Sequence, residues 1–120
     1  RALAPARVLD LGCGEGWLCR TLSSKGIAMT GIDVSTELIA AATAQGHARY
    51  LTIGYEQFCE NPKQCGHDFD AIVFNFSLLE EAIVPVLSAA RSILTPEGRI
   101  VIQTVHPFTG DQSFRCSTPK

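Results

Sequence analysis

Val8-Leu9-Asp10-Leu11-Gly12-Cys13-Gly14-Glu15-Gly16-Trp17 decides the fold. An apolar run passes directly into three glycines at alternate positions. Residues 7–11 read as a buried strand, residues 12–16 as a tight turn, and residues 17–24 as a short helix. Gly26 stands where the stop of that helix belongs. Glycines at a strand-to-helix junction let the backbone turn sharply and let a ligand approach the main chain closely. The helix start adds free N–H groups.

The same alternation continues along the chain. Residues 27–33 read as a second strand. Ser35 is an N-cap for a helix over 36–45, with Gly46 as its stop. Residues 47–53 read as a third strand, and 54–60 as a turn with a short helix. Residues 61–68 hold Asn, Pro, Lys, Gln and Gly and read as a surface loop. Residues 69–76 form the fourth strand. Residues 78–94 are mostly helical, with Pro85 in the first regular turn. Val86, Leu87, Ala90, Ile93 and Leu94 recur at helical spacing as its buried face. Residues 95–98 make a turn and 99–105 a fifth strand. Strands alternating with helices predict an α/β, doubly wound, mainly parallel sheet. Right-handed crossovers place helices on both faces. A ligand then belongs at the carboxyl ends of the strands, where the strand order reverses.

The glycine turn excludes some nucleotides. A dinucleotide fingerprint, Gly-x-Gly-x-x-Gly or Ala, needs a small residue at 17, where Trp17 stands. Asp10 and Glu15 put two carboxylates beside the turn, which repels a diphosphate and suits a ligand with an ammonium and a sulfonium. No Gly-Lys-Ser/Thr follows, so the pattern is not a P-loop. Asp33 ends the second strand, where a carboxylate can accept hydrogen bonds from two vicinal ribose hydroxyls. The alternative is a helix N-cap at Asp33, a role that Ser35 can take instead.

Composition bounds the rest. The chain has 120 residues, 46% hydrophobic and 18% charged, enough for one packed domain and too few charges for disorder. Its formal net charge of -2 gives no basic field for nucleic acid. Five cysteines, an odd number with no Cys-x-x-Cys pair, argue for free thiols in the cytoplasm and against a disulfide framework or a zinc site. No apolar run approaches the length of a membrane span.

Four motifs now stand in order: residues 10–16, Gly31-Ile32-Asp33, Phe69-Asp70-Ala71-Ile72-Val73, and Leu94-Thr95-Pro96-Glu97-Gly98-Arg99. Together they resemble the class I S-adenosylmethionine-dependent methyltransferases, in the style of the small-molecule enzymes of ubiquinone biosynthesis. The resemblance covers residues 8–103. It implies S-adenosylmethionine as cofactor and no metal. It implies that Asp10, Gly12, Cys13, Gly14 and Gly16 surround the methionine part of the cofactor, that Asp33 holds the ribose, and that Val34 packs on the adenine. The turn with Tyr55 and Glu56 would supply an adenine contact. Tyr55 departs from the acidic residue common there, and its other reading is a surface aromatic over a helix. Asn75 and Phe76, at the end of the fourth strand, would face the transferred methyl; capping of the next turn is the alternative for Asn75. His106, after the fifth strand, is the candidate general base for a small-molecule acceptor, against the reading of an exposed strand-end histidine. Asp70 lies at the wrong end of its strand for a ligand and is assigned to structure.

The fold family continues with two further strands, and the chain reads as a fragment that ends in a polar tail over 109–120. The fifth strand is therefore expected to show an open edge, a natural place for a homodimer contact. Two rival functions remain at the level of sequence: a nicotinamide-dependent oxidoreductase, and a non-catalytic methyltransferase-like binding module.

Overall fold

The computed structural model describes residues 6–76, 83–106 and 110–116, with side chains for 6–74 and 83–103. Strand β1 (Arg7–Leu11) is buried from Val8 to Leu11. Only a strand covered on both faces is buried at four successive positions. Helix α1 (Trp17–Ser23) leads to β2 (Ala28–Asp33), α2 (Thr36–Gln45) to β3 (Arg49–Thr52), and α3 (Tyr55–Glu60) to β4 (Phe69–Phe76). Helix α4 (Ile83–Arg91) then precedes β5 (Leu94–His106) and β6 (Gly110–Cys116). The sheet order is β3-β2-β1-β4-β5-β6. The first five strands are parallel, and β6 runs antiparallel to β5. The chain winds outward from β1 to β3, then restarts beyond β1 at β4. The order therefore reverses between β1 and β4, where a doubly wound sheet opens a crevice.

Side chains alternate between two cores, as a strand period of two requires. Leu9, Leu11, Ile72 and Phe74 pack with Phe58 of α3 and Val86 and Ala90 of α4. Val8, Met29 and Val73 pack on the other face with Cys19 of α1 and Ile39 of α2. Asp70 accepts from the backbone N–H groups of Ala6 and Arg7 at 2.8 and 3.0 Å. It fastens the start of β1 to β4, the structural role its position predicts.

The structure changes four expectations. The polar tail is not a tail: residues 110–116 pair with 100–106 of β5. Gly-Asp-Gln-Ser-Phe-Arg-Cys has no apolar alternation, which is how a charged edge strand reads. Strand β5 is thus paired on both sides within this chain, so the predicted open edge is overturned. The turn 95–98 is absorbed as an irregularity, with the register stepping from Phe69↔Leu94 to Ala71↔Arg99. Strand β3 starts two residues late because Gly46 and His47 take φ of 77° and 78° to end α2. The loop 61–68 contains a 3-10 turn, Pro62–Cys65, that puts Cys65 fully into the core. Residues 78–82 of the expected fourth helix lie outside the described residues.

Candidate functional site

The glycine turn lies over the end of β2. The Gly12 and Cys13 N–H groups both donate to the Ile32 carbonyl, at 2.8 and 2.9 Å. The Gly14 N–H donates to Oδ2 of Asp33 at 2.9 Å, and the Ser35 N–H to Oδ1 at 2.9 Å. Asp33 therefore binds the turn to β2 and is less free than its reading as a bare ribose acceptor implied. Each carboxylate oxygen has a second lone pair, so ligand hydroxyls still have acceptors there. Ser35 caps α2 as expected, its Oγ accepting from the Leu38 N–H at 3.1 Å.

The turn needs its last glycine twice over. Gly16 has φ of 90°, a left-handed conformation that side chains disfavour. A Cβ there would also stand 2.7 Å from Oη of Tyr50 and 3.1 Å from Cβ of Ala42. Close packing of α1 on its neighbours thus falls at residue 16. Trp17 is 60% exposed and blocks nothing, so the steric argument against a dinucleotide was misplaced. The argument from Glu15 also fails. Its Oε1 lies 2.7 Å from Nη2 of Arg20, and Nη1 of Arg20 donates to the Glu15 carbonyl at 2.7 Å. A stronger reason replaces both. A diphosphate would need the N–H of the second glycine, and Gly14 already gives it to a carboxylate.

Beside the turn, at the carboxyl ends of β1, β2 and β3, opens a cleft of about 650 Å³. Its lining includes five residues expected from the sequence: Gly12, Asp33, Val34, Tyr55 and Glu56. The structure adds Ile53, Gly54 and Gln57. Gln57 Oε1 accepts from the Gly54 N–H at 3.1 Å, a capping bond signalled in sequence by a Gln three residues after the N-cap. Val34 is 72% exposed, an apolar side chain at the cleft rim. Tyr55 packs against the core, not over the surface. Burial, then the negative charges of Asp33 and Asp10, push its phenol up to about 12, so it is a hydroxyl donor at neutral pH.

Asp10, Cys13, Gly14 and Gly16 do not line the cleft; they shape it from behind. Asp10 is buried, and Sγ of Cys19 donates to its Oδ2 at 3.7 Å. The side chains of Asn75, Phe76 and His106 lie outside the described residues. Among the described residues no group of three or more His, Cys, Asp or Glu could hold a metal ion. No helix among them is long and apolar enough to cross a membrane.

The family model described as a methyltransferase domain matches residues 8–98, most of the chain. This chain is a class I S-adenosylmethionine-dependent methyltransferase domain. The chain is 33% identical over 112 residues to a ubiquinone biosynthesis O-methyltransferase of Xylella fastidiosa, covering 87% of this chain and 44% of that protein. It is 29% identical over 107 residues to the enzyme of the same name from Actinobacillus pleuropneumoniae, covering 83% and 46%. The chain thus spans about half the length of the curated relatives it matches. Among solved structures, the plantazolicin methyltransferase BpumL in complex with SAH superposes with a TM-score of 0.72 at 27% identity, covering 87% of this chain and 40% of that one. A TehB-like SAM-dependent methyltransferase from Corynebacterium glutamicum gives 0.71 at 30% identity, covering 87% and 57%.

Proposed function

We propose that the protein transfers a methyl group from S-adenosylmethionine to an oxygen of a small molecule, and that the cleft beside residues 12–16 holds the cofactor. The observation that carries this reading is Asp33. Its carboxylate lines the cleft, with the apolar Val34 beside it. A volume of about 650 Å³ suits a nucleoside with a short side chain.

In this reading Asp33 accepts the two ribose hydroxyls, and Val34 packs on the adenine. Tyr55 and Glu56 meet its edge. Gly12 lies along the methionine part, and Asp10, Cys13, Gly14 and Gly16 support the turn behind it. Asn75 and Phe76 face the acceptor side, and His106 takes the acceptor's proton. The cofactor supplies an activated methyl on a sulfonium. The protein's work is then mostly alignment, which can contribute roughly 7–11 kcal/mol to lowering the barrier. The names of the ubiquinone relatives support oxygen as the atom methylated. A net charge of -2 supports a small acceptor over a nucleic acid. The free thiols among the described residues support a cytoplasmic location.

The test is transfer of label from methyl-labelled S-adenosylmethionine to a panel of small phenols, carboxylic acids and amines by the full-length protein. Label on a phenol or carboxylate oxygen is expected. Label appearing on amines alone would refute the oxygen assignment, and none on any acceptor would refute the transfer.

A further inference from the structure

Two thiols under the glycine turn have no part in cofactor binding beyond the support that Cys13 lends the turn. Cys13 belongs to the turn and Cys19 to α1, and the two are 6% and 0% exposed. Gly31 of β2 leaves the space they share. A Cβ on Gly31 would stand 2.9 Å from Sγ of Cys13 and 3.0 Å from Sγ of Cys19. Both sulfurs thus stand within 3.0 Å of one point beside Gly31. Behind them Cys19 donates to the buried Asp10 carboxylate at 3.7 Å. The other described cysteines, Cys59 and Cys65, pack in the core on the opposite face of the sheet. Sheet geometry therefore pairs Cys13 with Cys19 and with neither of those two.

We propose that Cys13 and Cys19 are a modification site: they close into a reversible intramolecular disulfide that shuts the glycine turn to the cofactor. The loss of cofactor affinity rests on the reading of the cleft given above; the bond itself does not. The co-reactant is a low-molecular-weight disulfide. Cys13, the more accessible thiol, loses its proton to solvent and attacks one sulfur of the reagent. The reagent's S–S bond breaks, and one small thiol leaves. Cys19 then attacks Sγ of Cys13 while Asp10 takes its proton. The mixed disulfide breaks, and the second small thiolate leaves with the proton that Asp10 held. Two protein thiols are oxidised to one disulfide, and one small disulfide is reduced to two thiols. The Cys13 contact, burial and the Asp10 charge all hold the Cys19 thiol protonated far above its usual range. Cys19 is thus the resolving partner, not the first nucleophile, and it needs the proton acceptor beside it.

A disulfide brings its sulfurs to about 2 Å, so Cys13 must move toward α1. The Cys13 N–H bond to Ile32 and the Gly14 N–H bond to Asp33 hold the turn over the cleft. Both loosen with that movement. Such bonds in the cytoplasm are usually transient and sense redox state.

Treatment of the full chain with 2-hydroxyethyl disulfide, then tryptic mapping and titration with S-adenosylhomocysteine, tests this. Both thiols fall in one tryptic peptide, residues 8–20. We expect that peptide to lose the mass of two hydrogens and to resist alkylation. Cys19→Ala should instead retain the reagent's half as an adduct on Cys13. Affinity of the wild-type chain should fall about tenfold or more and return with dithiothreitol. Two alkylatable thiols in the folded chain, where the unfolded chain forms the bridge, would overturn the proposal. So would a bridge that leaves affinity unchanged. A reduced chain that never binds S-adenosylhomocysteine would remove the cofactor reading, while the mapping still decides whether the bridge forms.

Discussion

Asp33 joins the structure of the turn to the chemistry proposed for the cleft. It accepts two backbone N–H groups and keeps lone pairs for a ligand. Asp33→Ala should weaken binding of S-adenosylhomocysteine by about 1.5–3 kcal/mol, the range for hydrogen bonds to a charged group. Calorimetry reads this directly, and unchanged affinity would remove Asp33 from the site. Tyr50 makes the opposite kind of prediction. Its Oη is buried with no hydrogen-bond partner among the described residues. A buried donor in that state costs about 1–3 kcal/mol. Tyr50→Phe should therefore leave the melting temperature unchanged or raise it, and a drop of several degrees would contradict the account.

Residue-scale features were only partly legible. The glycines and Asp33 were legible because strand ends and turn chemistry leave marks in sequence, and Val34 only through the family resemblance. The direction of Trp17 was not, because which side of a first helical turn faces inward depends on the packing of α1 on β2. The Glu15–Arg20 pair spans five residues and crosses the turn into α1, so no helical spacing rule reveals it.

Elements meet tightly where α1 leaves the turn. Gly16→Ala forces a Cβ into Oη of Tyr50 and imposes a side chain on a left-handed φ. The backbone term alone is worth about 1–2 kcal/mol. Urea denaturation should show a smaller cost for Gly16→Ala in a Tyr50→Phe background, because the nearest clashing atom is gone. Equal costs in the two backgrounds would show that the hydroxyl is not the obstacle. The phenol of Tyr55 at the start of α3 sets a pH dependence. Its titration moves from 10.0 up to about 12 on folding. Below pH 10 both folded and unfolded chains carry the proton, and the stability is fully present. As pH rises from 10 toward 12 the unfolded chain ionises first, so stability falls. Tyr50 shifts in the same sense, pushed up to about 12 by burial first. Tyr55→Phe should flatten part of the fall in urea stability above pH 10. An identical slope would mean that Tyr55 titrates normally. Helix α3 itself was half legible: Gln57 marks its cap, but six residues are too few to carry a period.

Across the whole molecule the parallel core was readable because its strands are buried on both faces and its helices carry stops. The sixth strand was not. Its residues are mostly polar and carry no strand-like apolar run, and it shows itself only in its pairing with β5. Removing residues 107–120 should expose the β5 edge and increase concentration-dependent association, measured by light scattering after size exclusion. A truncated chain that stays at the apparent mass of one subunit would show that β6 does not protect that edge. The reversal of strand order between β1 and β4, with Asp33 at the neighbouring strand end, underlies the proposal of a nucleoside site on the carboxyl side of the sheet. Calorimetric titration of the full chain with S-adenosylhomocysteine and, separately, with NADH tests that most directly. Saturable one-to-one heat with the thioether nucleoside and none with the dinucleotide is the predicted result. Saturable heat with NADH and none with S-adenosylhomocysteine would contradict it.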